Sequence, residues 1–266
     1  KKIKQMATAA FLNKEEQKKT SAFLKTGYLI CKVENMSSLK YISSLISKSI
    51  NLQLKKNKSL NLNKIHETLQ IKELNNFRLN IISKINKDKL FRYHYFNLAK
   101  ETLYLLAGNE LMMQKNINLS IQFPNDNSSL LPIHSDVWSG DSPYEINVWV
   151  PLVDCYKSKS MYIVEQKNYL NFKKKIQKKK FENIKNIFKL VKNKVKWLKV
   201  DYGQFLIFNQ SLPHGNIINI EKETRWSMNC RFKSFFSPYG DKKIGEFFLP
   251  ITTRAISEIG MNFKNP

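Results

Sequence analysis

The chain has 266 residues, of which 42% are hydrophobic, so it is long and apolar enough to bury one sizeable core. Its formal net charge is +24, but lysine outnumbers arginine by 40 to 5. No helix-turn-helix, zinc-finger or RNP-like motif is present, so we interpret most of this charge as a solvated lysine-rich surface and not as a nucleic-acid interface. No apolar run approaches the roughly 18 residues of a membrane helix.

The three cysteines, Cys31, Cys155 and Cys230, are widely spaced and form no C-x-x-C pair. This pattern favours reduced thiols over a disulfide framework. The first residues, Lys1–Ala7, are partly basic but lack an apolar stretch long enough for a signal peptide. Together these features predict a cytoplasmic location.

Hydrophobic periodicity divides the chain into four segments. Residues 8–115 are predicted to be mainly helical, with a short strand near Gly27 to Val33, and residues 116–166 and 197–250 to carry strands. Residues 167–196 are strongly basic and have apolar residues near helical spacing, which predicts one or two amphipathic helices inserted between strands. This insert could pack on the core or act as a substrate lid. Without an evident linker, residues 1–266 are predicted to form a single, mainly β domain with helical additions.

The tripeptide that ends at Asp136 is the first half of a candidate metal site. Asn118–Pro124 alternates polar and apolar residues and predicts a strand, and Tyr144–Leu152 predicts a second one. His134 and Asp136 are two residues apart, so in an extended segment their side chains leave the same face. A hydrogen-bonded surface turn is the alternative interpretation of these two residues.

The second half of the candidate site is His214. The apolar run Gly203–Asn209 predicts a buried strand, and the following segment places His214 at a strand-to-turn corner. Two imidazoles and one carboxylate can occupy one face of a metal ion and leave the opposite positions open. This 2-His-1-carboxylate set is typical of non-haem Fe(II) sites.

The segment from Thr224 to Phe236 predicts a strand with two chemically different faces. The polar face has Arg225, Ser227, Asn229 and Arg231, and the apolar face has Trp226, Met228, Cys230 and Phe232. Two arginines that point inward need an anionic partner, because an unpaired buried charge is very costly. If the arginines instead point outward, they are surface charges.

The spacing from His214 to Arg225, with Ser227 two residues further on, resembles the Fe(II)/2-oxoglutarate dioxygenases. The resemblance implies a double-stranded β-helix (jelly roll) core, with N-terminal helices packed on it and a helical insert between barrel strands. It also implies Fe(II), 2-oxoglutarate and dioxygen as cofactors, with His134, Asp136 and His214 as the iron ligands. Arg225 would bind the distal carboxylate of 2-oxoglutarate through its planar fork, and Ser227 would add a hydroxyl donor.

Longer stretches resemble particular members of this superfamily. Leu12–Glu16 followed by Phe23–Ile30 is similar to the opening of phytanoyl-hydroxylase-like members. Gln114–Pro124, His134–Glu145 and Asp154–Tyr162 resemble the 2-oxoglutarate/Fe(II) oxygenases encoded in sporadically distributed bacterial carbohydrate gene clusters. This resemblance implies oxidation, in the first instance hydroxylation, of a carbohydrate or carbohydrate-linked small molecule in surface polysaccharide biosynthesis. The positive field could then attract a phosphorylated or nucleotide-linked sugar.

Asn147 and Gln122 are polar residues in otherwise apolar strands, and we expect them to make secondary contacts to the cosubstrate. Trp138 and the Ser139–Asp141 turn are candidate substrate-side elements. Three alternatives remain open: a phytanoyl-hydroxylase-like oxygenase for another small molecule, a non-catalytic basic jelly-roll binding protein, and a cupin-like site for another metal. The last of these predicts no use for Arg225.

Overall fold

The computed structural model describes residues 11–55, 60–179 and 184–264. Its helices are α1 (Lys14–Thr26), α2 (Met36–Leu54), α3 (Leu74–Asn86), α4 (Phe91–Asn97), α5 (Lys100–Ala107), α6 (Gln166–Lys179), α7 (Ile184–Val191) and α8 (Ala255–Asn262). Its strands are β1 (Tyr28–Lys32), β2 (Leu111–Gln114), β3 (Asn118–Gln122), β4 (Glu145–Pro151), β5 (Tyr162–Val164), β6 (Val195–Trp197), β7 (Gln204–Asn209), β8 (His214–Gly215), β9 (Arg225–Ser234) and β10 (Phe248–Thr252).

The described strands form two antiparallel sheets. The larger has seven strands in the order β1-β7-β4-β9-β2-β10, and β3 also pairs with β9. The ten-residue β9 is its central element, because one edge pairs with β4 and the other edge pairs with β3 and then β2. The smaller sheet has the order β6-β5-β8. The fold is therefore mainly β with helical additions, as the sequence predicts.

The apolar face of β9 packs on the N-terminal helices. Trp226 lies edge-on to Phe77 of α3 with ring centroids 6.4 Å apart, and Phe232 lies 6.5 Å from Phe96 of α4. Tyr95 of the same helix donates a hydrogen bond of 2.9 Å to a carbonyl oxygen of β4. Burial of these large side chains is the main stabilising contribution at this layer. The predicted alternation of β9 is confirmed.

In the described residues 11–55 and 60–115, the helices α1 to α5 are accompanied by two strands, β1 and β2. A strand near β1 is visible in the sequence, but β2 is not, because all four of its residues are buried and show no alternation. β2 nevertheless joins the large sheet between β9 and β10.

The basic segment 167–196 contains α6 and α7, so the helical interpretation is confirmed where the structure describes it; residues 180–183 lie outside the described part. Ile187 and Val191 of α7 are buried, and Phe188 packs 5.3 Å from the ring of Tyr162. The described apolar side chains of α7 therefore pack on the core. The segment ends earlier than predicted, since β6 begins at Val195 and pairs with β5. No described helix has the length and apolarity needed to cross a membrane.

Candidate metal centre

Two distant segments of the chain bring His134 and His214 together. The backbone N–H of each histidine donates to the carbonyl oxygen of the other, at 2.9 and 2.8 Å, in a single antiparallel bridge. Their ring centroids are 4.3 Å apart. With Asp136 they form a cluster in which one possible ligand atom from each residue lies within 4.8 Å of the others.

The backbone conformation at Asp136 differs from the extended one that the sequence predicts. Extended backbone ends at Ser135, and Asp136 begins a 3-10 helix that runs to Ser139. The Ser135 hydroxyl donates 2.8 Å to the carbonyl oxygen of Ser211, and the Asp136 N–H donates 3.2 Å to that of Gln210. The extended segment is therefore shorter than expected, because a tight turn anchored to the segment before His214 begins at Asp136. The side chains of His134 and Asp136 nevertheless face the same cluster.

Hydrogen bonds orient both imidazoles with one nitrogen toward the cluster. Nδ1 of His134 lies 2.8 Å from the Pro132 carbonyl oxygen, and Nδ1 of His214 lies 2.9 Å from that of Leu212. Because a carbonyl oxygen only accepts, Nδ1 carries the proton and Nε2 keeps its lone pair. Burial, with some repulsion from His134, lowers the pKa of His214 to about 4. His214 is therefore neutral near pH 7, which is the state that binds a metal ion.

Asp136 is ionised and only partly satisfied. Burial acts to raise its pKa, but coulombic interactions with His214, Arg231 and His134, together with the hydrogen bond from Arg231, outweigh burial and hold the pKa below its usual value. Its Oδ1 lies 3.7 Å from Nε2 of His134. Its Oδ2 is buried and has no hydrogen-bond partner among the described residues. An orphaned buried carboxylate oxygen beside two free imidazole nitrogens is a donor set that suits a divalent metal ion.

The cluster opens into a cavity of about 820 Å³ between β3, β4, β9 and the start of α3. Its charged lining residues are one carboxylate and three arginines: Asp136, Arg78, Arg225 and Arg231. Because cations outnumber anions in this lining, the cavity suits anionic ligands.

Arg225 is 3% exposed, and no carboxylate of the described residues lies within ion-pair distance of it. It donates 3.1 Å to the Ser120 hydroxyl, while its Nε is buried without a partner. Burial lowers its pKa, but a guanidinium does not lose its charge in proteins. The Ser227 hydroxyl lines the same cavity and likewise has no hydrogen-bond partner in the part of the chain that the structure describes. The two residues therefore present unused hydrogen-bonding groups to an anion.

The other predicted site residues divide into two groups. Asn147 lines the cavity, lies opposite Arg231 in the register of β4 and β9, and has an orphaned buried Oδ1. Gln122 is opposite Arg225 but is not among the cavity-lining residues, and its amide donates 2.8 Å to the Ile217 carbonyl oxygen. Trp138 likewise does not line the cavity.

Sequence reasoning missed the ion pairs behind Asp136. Arg231 NH2 lies 3.2 Å from Asp136 Oδ1 and 3.5 Å from Asp141 Oδ2, and Lys242 Nζ lies 2.7 Å from Asp141 Oδ1. Two features of the sequence could have indicated these ion pairs: arginine is scarce in the chain, and Arg231 lies on the polar face of β9. The histidines outside the cluster, His66 and His94, hydrogen-bond Thr224 and Ser38.

No protein-family profile and no curated protein matches this chain. Solved structures do share its fold. The non-heme monooxygenase ThoJ in its apo form is 12% identical, with a TM-score of 0.58 over 88% of this chain and 84% of that one. HygX from Streptomyces hygroscopicus with nickel and 2-oxoglutarate bound is 12% identical, with a TM-score of 0.51 over 88% and 90%. EctD from S. alaskensis in its apoform is 12% identical, with a TM-score of 0.52 over 82% and 76%.

Proposed function

We propose that this chain is a single-domain Fe(II)- and 2-oxoglutarate-dependent oxygenase of the phytanoyl-hydroxylase-like type. We further propose that it hydroxylates a carbohydrate or carbohydrate-linked small molecule in surface polysaccharide biosynthesis. One observation carries the proposal: three metal-binding side chains and a buried arginine without an acidic partner line the same cavity. The shared fold with ThoJ and HygX, solved as a non-heme monooxygenase and with 2-oxoglutarate bound, supports it.

The residues fit an iron centre. His134 and His214 would bind through Nε2, and Asp136 through its carboxylate. The carbonyl acceptors of Pro132 and Leu212 hold the imidazoles in the required tautomer. Three protein ligands leave open positions for a cosubstrate and dioxygen. When bound, the iron would supply oxidative decarboxylation of 2-oxoglutarate coupled to oxidation of a substrate C–H bond.

The residues also fit 2-oxoglutarate. Arg225 would bind its distal carboxylate through two parallel N–H donors, since a planar fork matches a planar carboxylate. Ser227 follows on the same face of β9 and would add a hydroxyl donor. Asn147 would contribute a secondary contact at the Arg231 end of the cavity. Gln122 would not contact 2-oxoglutarate and would influence its binding only indirectly, because it is paired with Arg225 across the two strands.

The strand arrangement supports a double-stranded β-helix. Such a core places two sheets face to face with the ligands between them. Here His214 lies in β8 of the smaller sheet, while Arg225 and Asn147 lie in the larger sheet, and all three side chains line one cavity. The hydrogen-bonding groups in the cavity lining agree with a hydroxylated substrate, and the assignment to a sugar depends on the sequence resemblance.

The deciding experiment is an anaerobic titration of the metal-free protein with Fe(II) and then 2-oxoglutarate, in which the visible metal-to-ligand charge-transfer band is recorded. We expect a band that requires both additions and is absent in Asp136→Ala. In Arg225→Ala the band should require far more 2-oxoglutarate. Arg254→Ala, which removes an exposed arginine, is the matched control and should behave like the wild type.

Each of the other outcomes would favour a different functional class of protein. Metal binding that does not change on addition of 2-oxoglutarate would favour a cupin-like site for another metal. Absence of metal binding together with salt-dependent nucleic-acid affinity would favour a basic binding protein. If the band forms, succinate release with panels of sugars, sugar phosphates and non-carbohydrate small molecules separates the carbohydrate assignment from an oxygenase for another substrate.

A further inference from the structure

Arg78 occupies the solvent end of the cavity and has no acidic partner. It lies on α3, lines the cavity and is half-buried, whereas Arg225 deeper inside is fully buried. Its guanidinium donates 2.8 Å to Asn75 Oδ1 and 3.3 Å to the Leu119 carbonyl oxygen. No carboxylate in the part of the chain that the structure describes pairs with it. A guanidinium has five N–H donors, so donors remain for a ligand.

The charges of the cavity remain unbalanced after the proposed iron and cosubstrate are counted. Arg231 and Lys242 are balanced by Asp136 and Asp141, which they contact directly. A divalent iron and the 2-oxoglutarate dianion also balance one another. The cavity therefore keeps two net positive charges. Because the distal carboxylate would pair with Arg225, one of these charges stays at the iron and the other lies on Arg78.

Neutral hydrogen-bonding groups lie beside Arg78. Asn118 and Asn229 are directly opposite one another in the β3–β9 register and both line the cavity. Their side chains make no hydrogen bond with any described residue. Ser128 and Ser129, which line the same cavity, differ, because their hydroxyls already donate to Asp126 at 2.6 and 2.8 Å. The two asparagines are therefore the free polar groups of this region.

We propose that Arg78 forms an anion subsite for the substrate, which therefore carries a phosphate or carboxylate group. Asn118 and Asn229 bind its neighbouring hydroxyls. This inference rests on the proposed function and adds the chemical class of the substrate: a small, hydroxylated anion that enters with its charge at the solvent end. The oxidised carbon lies deeper, toward His134 and Asp136, and the two ends are thus held by different parts of the cavity.

Arg78 also has a structural role, and a test must separate this role from anion binding. Among the described strands β3 pairs only with β9, so no described strand covers its other edge, and Arg78 caps the Leu119 carbonyl oxygen on that edge. Arg78→Gln removes the positive charge and keeps an amide donor for this contact. Lys84→Gln removes an equal charge from an exposed position on the same helix that does not line the cavity, so it is the matched control.

The experiment is calorimetric titration of inorganic phosphate, and separately of acetate, into protein loaded with Ni(II) and 2-oxoglutarate. In the loaded protein, 2-oxoglutarate occupies Arg225. An added anion therefore does not bind at Arg225, where its binding could be mistaken for binding at Arg78. We expect saturable binding of at least one of the two anions that weakens by about tenfold or more in Arg78→Gln, since a hydrogen bond to a charged group is lost. Lys84→Gln should bind like the wild type. Preference for phosphate indicates a phosphorylated substrate, and preference for acetate indicates an acid such as a uronate.

Absence of saturable binding of both anions, or equal binding in Arg78→Gln and the wild type, would overturn the inference. Failure of the proposed function is recognised separately, because it shows as failure of 2-oxoglutarate to bind during loading. The phosphate and acetate titrations are then repeated on the unloaded protein. Arg78-dependent binding there would retain the anion subsite without the oxygenase.

Discussion

Arg231 forms an ion pair with Asp136, the carboxylate of the candidate metal centre, at 3.2 Å between NH2 and Oδ1. The same nitrogen lies 3.5 Å from Asp141, which is itself bound by Lys242 at 2.7 Å. The side chains of Asp136 and Asp141 are 7% and 2% exposed, so these charges interact largely away from water. Without a metal ion, Arg231 is therefore the cation that stabilises the ionised Asp136.

The first prediction concerns Arg231→Met. It leaves two buried carboxylates short of a cation, so we expect the free energy of unfolding of the metal-free protein to fall by about 3–5 kcal/mol. A divalent metal ion supplies positive charge to Asp136, so Mn(II) should stabilise the variant by more than it stabilises the wild type. Urea denaturation with and without Mn(II) measures both quantities.

Arg231→Lys serves as the control, because it keeps the charge but loses the planar fork. It should lose less stability than Arg231→Met and show a smaller response to Mn(II). Equal stabilisation by Mn(II) in the wild type and Arg231→Met would contradict a role for Arg231 as the substitute cation.

The second prediction concerns Arg225→Met. A buried cation without an acidic partner costs free energy in the absence of an anion, and methionine removes that cost at similar volume. We expect the cosubstrate-free variant to be as stable as the wild type or more stable by about 1–2 kcal/mol. In the wild type, 2-oxoglutarate should raise the melting temperature in the presence of Ni(II), and this increase should disappear in Arg225→Met. A less stable variant that still responds to 2-oxoglutarate would argue for a purely structural arginine.

The third prediction concerns Gly240, where two loops meet behind Asp141. A Cβ at this position would collide with the carbonyl oxygen of Gly140 and lie 2.8 Å from the Ser142 backbone nitrogen. Because these neighbours are backbone atoms, the loops must separate, and we expect Gly240→Ala to cost about 1–3 kcal/mol. Gly260→Ala in α8 is the control, since nothing lies within 4 Å and alanine favours the helix by about 1 kcal/mol. Chemical denaturation of both variants gives the comparison, and equal stabilities would refute the close approach.

The fourth prediction concerns pH and Lys233. Its ammonium group is buried, donates 2.8 and 3.0 Å to the carbonyl oxygens of Ser237 and Pro238, and lies over the Tyr239 ring. Burial lowers its pKa from 10.5 to about 8, although Glu145 acts in the opposite direction. Between these two pH values the unfolded chain binds more protons than the folded chain, so this residue makes stability rise with pH in that window.

Lys233→Met should remove this contribution. We expect the difference in unfolding free energy between the variant and the wild type to change between pH 8 and 10.5 and to stay constant below pH 8. Urea denaturation of both proteins across this range is the measurement. A difference that does not vary with pH would show that Lys233 titrates in the folded state as it does in the unfolded chain.

Local patterns predicted the strands best where one face is polar and the other apolar. β9 shows this alternation in its sequence, and its polar face does line the cavity. β2 has no such contrast, because both of its faces are buried, and it was assigned to the helical segment. The turn that begins at Asp136 could not be predicted, because the backbone of Ser211 and Gln210, which anchors it, is about 75 residues away in sequence.

The sequence by itself determined which side chains could form a metal and anion site, because donor chemistry and period-two alternation are properties of neighbouring residues. The tertiary structure alone decided which charges meet. Asp136, Asp141, Arg231 and Lys242 come from two segments about 100 residues apart, and only the sheet register and loop packing bring them into contact. The same is true of Arg78, which becomes part of the cavity because α3 packs against the edge of β3 that no described strand covers. Long-range register depends on the packing of the whole core, and no local pattern encodes it.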